Sequence, residues 1–161
     1  MRIVAVGEAE RAEARALVFE YIAATQGERG RPVPADPAGL PELLRAELDN
    51  LSARFADPGG LFLAYDQNQA CGCVGLAPRP EPGRAEVTRL YVRPEHRGRG
   101  VARALMTALL THAHHAGFTQ IDLDVMASRV GVVEFYRRLG FIETGTAIAY
   151  GTSMVLMSRP A

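Results

Sequence analysis

The sequence contains no tryptophan, only two cysteines and no excess of charge, since 18 basic residues balance 18 acidic ones. The balanced charge argues against a general nucleic-acid binder or a polybasic membrane binder. No apolar run reaches the roughly 18 residues that a membrane-spanning helix requires, so we expect no membrane partner. The cysteines, Cys71 and Cys73, are too few for a disulfide framework or a zinc site. We expect both to be reduced thiols packed on one face of a strand.

No secretory signal is recognisable in the first residues, because the apolar stretch there is broken at once by charged residues. Together with the small number of cysteines, this favours a reducing, cytoplasmic location. Clusters that could hold a metal are also scarce. His112 and His115 have helical spacing but no carboxylate in the next turn, and Asp122 and Asp124 lack a third acidic ligand nearby. We therefore expect no metal.

What the sequence does contain is the composition of one globular domain, predicted over residues 1–161. It has 161 residues, of which 48% are hydrophobic and 22% charged. Apolar spacing predicts helices over residues 8–26, 40–55, 98–116 and 128–139. It predicts strands over residues 2–7, 61–65, 70–76, 85–92, 121–126, 141–149 and 152–157. Strands alternate with helices only in part, which favours an α/β (α+β) fold with a mixed sheet flanked by helices.

The segment with the clearest chemical signal follows the strand at 85–92. There the run Arg97-Gly98-Arg99-Gly100 leads into a helix. The first N–H groups of a helix have no partner within it, and they lie at the positive end of the helix dipole. The two glycines let the backbone approach a ligand closely, and nearby arginines, including Arg103, add charged donors. This arrangement predicts a site for a pyrophosphate.

Two common phosphate loops do not fit this segment. A P-loop needs Gly-Lys-Ser/Thr, whereas Gly100 is followed by Val101 and Ala102. A dinucleotide fingerprint needs a third glycine where Arg103 stands, and most of the chain precedes the loop instead of following it.

The pattern R-x-x-G-x-A, formed by Arg97, Gly100 and Ala102, resembles the coenzyme A pyrophosphate loop of the GNAT N-acetyltransferase superfamily. Further matches are L-Y-V-x-P at 90–94 and F-Y-x-x-x-G-F at 135–141, so the specific likeness runs from about residue 86 to 141. The resemblance implies a GNAT-like, mostly antiparallel sheet of about seven strands. Its central strands would be splayed, and about four helices would flank it.

The same resemblance implies acetyl-CoA as the acyl-donor cofactor and assigns roles to residues. Backbone groups at Leu90 and Val92 would pair with the pantetheine arm, and N–H groups from 98 to 102 would hold the pyrophosphate. Where many members carry an asparagine, this sequence has Arg129, so Arg129 or the neighbouring Ser128 would take over that contact. The implied cofactor-binding set is Leu90, Tyr91, Val92, Arg97, Gly98, Arg99, Gly100, Val101, Ala102, Arg103 and Arg129.

For catalysis, the resemblance implies direct attack of an amine on an acyl thioester, without a covalent enzyme intermediate. Tyr136, the tyrosine of F-Y-x-x-x-G-F, would protonate the leaving thiolate. An amine of the lysine type has a pKa of about 10.4 and must lose a proton before it attacks. Glu86, at the start of the central strand, is the candidate general base.

The acceptor carries no sequence signature. A small-molecule primary amine is the first expectation, and a protein N-terminus or lysine is the second. A non-catalytic acyl-CoA-binding module and a subunit with a vestigial coenzyme A site also stay open. The acceptor site would be formed by residues 8–60 and 144–158, with the loops at 27–39 and 78–83 as walls. The apolar strands over 144–157 would permit a homodimer.

Overall fold

The computed structural model describes all 161 residues, which form one seven-stranded sheet with helices on both faces. The strands are β1 (Arg2–Ala5), β2 (Gly60–Asp66), β3 (Gln69–Pro78), β4 (Arg84–Val92), β5 (Gln120–Met126), β6 (Ile142–Ala149) and β7 (Thr152–Pro160). The helices are α1 (Arg11–Glu28), α2 (Glu42–Asp49), α3 (Leu51–Arg54), α4 (Val101–His115) and α5 (Val130–Arg138). Short 3-10 turns lie at Pro37–Gly39 and Pro94–His96. None of the helices is long and apolar enough to cross a membrane.

The strands follow the order β1-β2-β3-β4-β5-β7-β6, and every neighbouring pair is antiparallel except β4 and β5. This parallel pair is short, extending only from Arg84 opposite Gln120 to Glu86 opposite Asp122. Beyond Glu86 the two strands part and form a fork. The predicted mixed, mostly antiparallel sheet with splayed central strands is therefore confirmed.

Alternate side chains along the strands pack into two separate hydrophobic cores, one on each face of the sheet. On one face, Leu105, Met106 and Leu109 of α4 are fully buried among residues of β2 to β5. On the other face, Leu17 of α1 and Phe55, which follows α3, pack against the opposite side chains of β2 and β3. These two layers fix the sheet from both sides and leave the fork between β4 and β5 as its open part.

The helix predicted over residues 40–55 is in fact two helices, so the sheet is flanked by five helices instead of about four. Asn50 has a non-helical backbone (φ −118°, ψ 30°), and its side chain donates a hydrogen bond of 2.9 Å to the carbonyl of Ala46. An asparagine that bonds to its own backbone competes with helix continuation, which explains the break.

The two cysteines are buried and free, as predicted, but they do not share a face of the sheet. Cys71 packs in the core on the α4 side and Cys73 in the core on the α1 side. The cause is a β-bulge, because Ala70 pairs with Tyr65 and Gly72 with the adjacent Ala64, which leaves Cys71 as an extra residue.

Candidate active site

The fork between β4 and β5 opens into a cavity of about 860 Å³. Its walls come from β4, the loop before α4, the first turn of α4, β5 and α5, and from α1 and the β6–β7 hairpin. A cavity of this size fits the range of small-molecule and cofactor sites. The strand separation thus produces a large cavity next to the loop that carries the phosphate-binding pattern.

The loop before α4 turns through two glycines with left-handed backbone, Gly98 (φ +73°) and Gly100 (φ +81°). Gly100 is the N-cap of α4, and the first bond of the helix runs from the Ala104 N–H to the Gly100 carbonyl, 3.0 Å. The N–H groups of Val101 and Ala102 therefore have no partner within the helix. Open space lies above both glycines, so a phosphate could approach the backbone directly.

The arginines around this loop differ in where they point. Arg97 and Arg103 line the cavity, and the Arg97 Nε donates a 2.9 Å hydrogen bond to the Val92 carbonyl. Arg99 does not line it, because its exposed side chain extends toward Asp66. Arg93 is bonded to Glu20 of α1 through its Nη2, 2.6 Å, and belongs to the scaffold.

β4 carries a bulge at the point where it borders the cavity. Its pairing with β3 shifts between Gly75–Thr88 and Cys73–Tyr91, and Arg89 adopts a left-handed backbone with φ +59°. Leu90, Tyr91 and Val92 follow the bulge and line the cavity. Since no strand covers this side of β4 beyond Glu86, the backbone groups here are available to a ligand, except the Val92 carbonyl, which accepts the hydrogen bond from Arg97.

The Arg89 side chain fixes that bulge to α2. Its Nε and Nη2 donate to the two carboxylate oxygens of Glu47 at 2.8 and 2.7 Å. Burial opposes the charged form of Arg89, but the carboxylate of Glu47 outweighs it, so the pKa of Arg89 is raised. The Sγ of Cys73 also lies 3.3 Å from the Arg89 carbonyl. A residue with unfavourable backbone geometry is thus held by an ion pair and by the neighbouring strand.

Tyr136 of α5 lies on the opposite wall, with only 6% of its surface exposed. Burial raises the pKa of its phenol, so the hydroxyl stays protonated at neutral pH. Phe141 packs edge-on against its ring at a centroid distance of 5.6 Å. The side chain is therefore rigidly placed and available as a proton donor.

Two carboxylates lie near the fork, and they occupy different positions. Glu86 lies at the closed end, in the last β4–β5 pair, and does not line the cavity. Burial raises its pKa, an effect that Arg79, 3.6 Å away, opposes. Asp124 lies two residues beyond the last pair on β5, lines the cavity and has no ion-pair partner.

Asp122, on the same strand, has a structural role. Its Oδ2 accepts a 2.7 Å hydrogen bond from Arg84, and its Oδ1 accepts one of 3.0 Å from Gln120. Burial alone would raise its pKa, but these hydrogen bonds outweigh it and lower the pKa of the carboxyl. Asp122 therefore has a structural role, whereas Asp124 lines the cavity, and the two carboxylates do not form one site. The fold brings together no group of three His, Cys, Asp or Glu side chains that could hold a metal ion.

Comparison with known proteins identifies the family. The profile described as "Acetyltransferase (GNAT) family" matches residues 24–141, which is most of the chain. The chain belongs to the GNAT acetyltransferase family. An uncharacterized N-acetyltransferase of Schizosaccharomyces pombe is 34% identical over 100 residues, covering 61% of each chain. Mycothiol acetyltransferase of Streptomyces coelicolor is 33% identical over 111 residues, covering 68% of this chain and 36% of that one.

Solved structures agree with this family at the level of the fold. The ribosomal-protein-alanine N-acetyltransferase of Brucella melitensis superposes with a TM-score of 0.77 and 19% identity, over 100% of both chains. A Salmonella typhimurium acetyltransferase determined with its cofactor acetyl-CoA gives a TM-score of 0.75 and 16% identity, over 99% of this chain and 93% of that one. The chain spans about half the length of several curated relatives that it matches.

Within this GNAT fold, most of the residues predicted from sequence surround one cavity. Those that line it are Leu90, Tyr91, Val92, Arg97, Gly98, Gly100, Val101, Ala102, Arg103, Arg129 and Tyr136. Arg99, Glu86 and Ser128 do not. The Arg129 guanidinium, which stands where many members have asparagine, is bonded to Glu28 of α1 at 2.7 Å and to Thr25 at 3.1 Å. It thus ties the loop after β5 to α1.

Several other residues of this GNAT cavity carry no recognisable signal in the sequence. Asp124 was visible only as half of an acidic pair, and Arg29, Gln26 and Tyr150 carry no motif. The last three come from the end of α1 and from the β6–β7 turn, which meet only in the folded chain. A polar residue at a helix end gives no local signal that distinguishes a ligand-binding position from a solvated one.

Proposed function

We propose that this chain is an acetyl-CoA-dependent N-acetyltransferase that acetylates the primary amine of a small molecule by direct attack in a ternary complex. The observation that carries the proposal is the forked cavity itself. It combines unpartnered N–H groups and arginines at the α4 loop with a carboxylate, Asp124, and a protonated phenol, Tyr136. Phosphate binding and proton transfer can therefore take place in one space.

The residues present fit the cofactor at two places. The open loop at Gly98 and Gly100, with Arg97 and Arg103, would hold its pyrophosphate, and the free edge of β4 from Leu90 to Val92 would hold its pantetheine arm. When bound, acetyl-CoA supplies an acetyl thioester. Donors on the β4 edge would stabilise negative charge that develops on the acyl oxygen. The Tyr136 hydroxyl would return a proton to the departing sulfur.

The attacking amine must be neutral, so a base has to accept its proton. Asp124 is the carboxylate that reaches the cavity directly, and we favour it for this step. Glu86 remains a second candidate because its raised pKa makes it a stronger base. From the closed end of the fork, Glu86 would act through a water molecule.

A peptide N-terminus or lysine side chain is the second candidate acceptor. The names of the similar proteins include both a mycothiol acetyltransferase and a ribosomal-protein-alanine N-acetyltransferase. The cavity favours the smaller acceptor, because the end of α1 and the turn at Tyr150 both contribute to its wall. A non-catalytic acyl-CoA-binding role is less well supported, since Tyr136 and Asp124 both line the cavity.

Two further expectations belong to this proposal. The cytoplasm is the proposed compartment, which the two free, buried cysteines support. A homodimer through the late strands is supported by β6, an edge strand that exposes Ile142 and Ile148. Light scattering at several concentrations would decide the oligomeric state.

The direct test is thiol release from acetyl-CoA with panels of small primary amines and of short peptides. Background from self-acetylation is restricted, because the sequence contains no lysine. The proposal predicts turnover with small amines that exceeds turnover with peptides. Faster turnover with peptides would support the second candidate acceptor, and coenzyme A binding without turnover on either panel would favour the binding module.

A further inference from the structure

Outside the phosphate-binding loop, the cavity contains one guanidinium that no carboxylate of the protein pairs with. Among its arginines, Arg89 is paired with Glu47, Arg129 with Glu28 and Arg138 with Glu134. Arg97 and Arg103 belong to the phosphate-binding loop. The remaining one, Arg29, makes no salt bridge and lies at the far wall, beside the β6–β7 turn.

The Arg29 side chain is held in place by its surroundings, but one of its hydrogen-bond donors has no acceptor. Arg29 is the C-cap of α1, and its guanidinium carbon lies 5.2 Å from the centre of the Tyr150 ring. Its Nε is buried and has no hydrogen-bond acceptor. A buried donor without an acceptor costs free energy, and a ligand that accepts a hydrogen bond from it would remove that cost.

A second unsatisfied polar group lies one turn earlier on the same helix. Gln26 lines the cavity, is only 4% exposed, and has an amide oxygen without a partner. Residues three apart share a helix face, so Gln26 and Arg29 lie next to each other. Depending on the orientation of its amide, Gln26 can donate to an anion or accept from an N–H group. Together the two side chains offer a planar charged fork and an amide, a set suited to a carboxylate.

Asp124 provides the complementary charge on the β5 wall. It lines the same cavity and has no ion-pair partner. Apart from the charged side chains that form salt bridges within the protein, the part of the cavity away from the phosphate-binding loop has one unpaired cation, Arg29, and one unpaired carboxylate, Asp124.

We propose that the acceptor is an amino carboxylate, a compound of the amino-acid class, whose carboxylate binds to Arg29 and Gln26 while its amine faces Asp124. This inference rests on the proposed N-acetyltransferase activity and specifies its substrate class. The alternative role of Arg29 is electrostatic, because a cation at a helix C-terminus stabilises the helix dipole. That role would affect folding but not the choice of acceptor.

The test compares each amino carboxylate with its carboxamide and with the amine that lacks the carboxyl group. Wild-type protein should favour the carboxylate by about 10- to 100-fold in kcat/KM. Arg29→Gln should remove most of that preference by raising KM for carboxylates, with neutral amines and the KM for acetyl-CoA changed little. Arg45→Gln is the matched control, since Arg45 is exposed on α2 and does not line the cavity.

Equal use of carboxylate, amide and simple amine by wild-type protein would overturn the substrate class while leaving the acetyltransferase proposal intact. An equal loss on all acceptors in Arg29→Gln would also overturn it and would indicate a structural role. If no amine is turned over, the acetyltransferase proposal fails. The carboxylate site is then judged by ligand-induced thermal stabilisation: amino carboxylates must raise the Tm of wild-type protein but not of Arg29→Gln, or the inference is wrong.

Discussion

The hydroxyl of Tyr136 is the group best placed to deliver a proton inside the cavity. Its burial among apolar side chains raises its pKa, which keeps the proton on the oxygen throughout the neutral range. The same burial fixes the ring through its edge-on contact with Phe141. A phenol in this state can act as a proton donor without first having to be protonated.

Replacing Tyr136 by phenylalanine tests this role. We expect kcat to fall by about 10²- to 10⁴-fold, the usual contribution of a general acid, because the departing thiolate loses its proton source. The KM for acetyl-CoA and the unfolding temperature should change little, since the ring remains. Steady-state thiol-release kinetics measure both constants. An unchanged kcat would remove Tyr136 from the mechanism.

The two carboxylates of the fork can be separated by a matched pair of amide substitutions. Asp124→Asn should lower kcat/KM by about 10²- to 10⁴-fold, because an amide cannot accept the proton of the amine. Glu86→Gln should lower kcat/KM far less. The reverse pattern would assign the base to Glu86. Circular dichroism of both variants serves as the folding control.

At the scale of elements, the bulge of β4 depends on α2. The left-handed backbone of Arg89 is unfavourable for a residue with a side chain, and the bidentate contact with Glu47 offsets that cost. Both side chains of this pair are only 15% exposed, so neither charge is well hydrated. The position of the ligand-facing strand segment is therefore coupled to α2.

Glu47→Gln should therefore weaken both the fold and the cofactor site. Removing one partner of a largely buried pair leaves Arg89 without its counter-charge, and we expect a loss of about 2–4 kcal/mol in the free energy of unfolding. The KM for acetyl-CoA should rise as the bulge loosens. Urea unfolding and kinetics check the two effects. Glu42→Gln, an exposed substitution on the same helix, is the control and should change neither. If Glu47→Gln behaves like this control, the bulge does not depend on the pair.

The elements differ in how well the sequence predicts them. Periodicity placed all seven strands, and the contiguous pattern from Arg97 to Ala102 predicted the glycine loop that begins α4, because both signals are local. The break at Asn50 and the bulge at Cys71 were missed, since each replaces a regular pattern by a single residue whose effect depends on side-chain bonding or strand pairing. The cavity residues Arg29, Asp124 and Tyr150 lie far apart in sequence, and only tertiary packing brings them together.

The fork between β4 and β5 depends on the contacts that hold these two strands together at its closed end. There Asp122 of β5 accepts a hydrogen bond from Arg84 of β4, and a second one from Gln120 of its own strand holds the carboxylate in position. Because its pKa is lower in the folded protein than in the unfolded chain, its ionised form stabilises the fold. This stabilisation is fully present above the unfolded value of about 3.9 and is lost as pH falls through the folded pKa.

Asp122→Asn should consequently lower the free energy of unfolding by about 1–3 kcal/mol at pH 7. The difference from wild type should shrink as pH falls below about 4, because wild-type Asp122 then becomes neutral as well. Urea unfolding at a series of pH values measures this. A difference that stays constant down to the lowest pH would mean that the charge of Asp122 does not contribute.

Calorimetry of acetyl-CoA and coenzyme A binding to the purified protein tests directly whether the forked cavity is the coenzyme A site. Wild-type protein should bind both in the micromolar range. Arg97→Ala should weaken binding, and the double variant Arg97→Ala/Gly100→Glu should abolish it, because a carboxylate then occupies the loop that receives the pyrophosphate. Thermal unfolding confirms that the variants are folded. Absence of binding by wild-type protein, or undiminished binding by a folded double variant, would contradict the assignment of the forked cavity to coenzyme A.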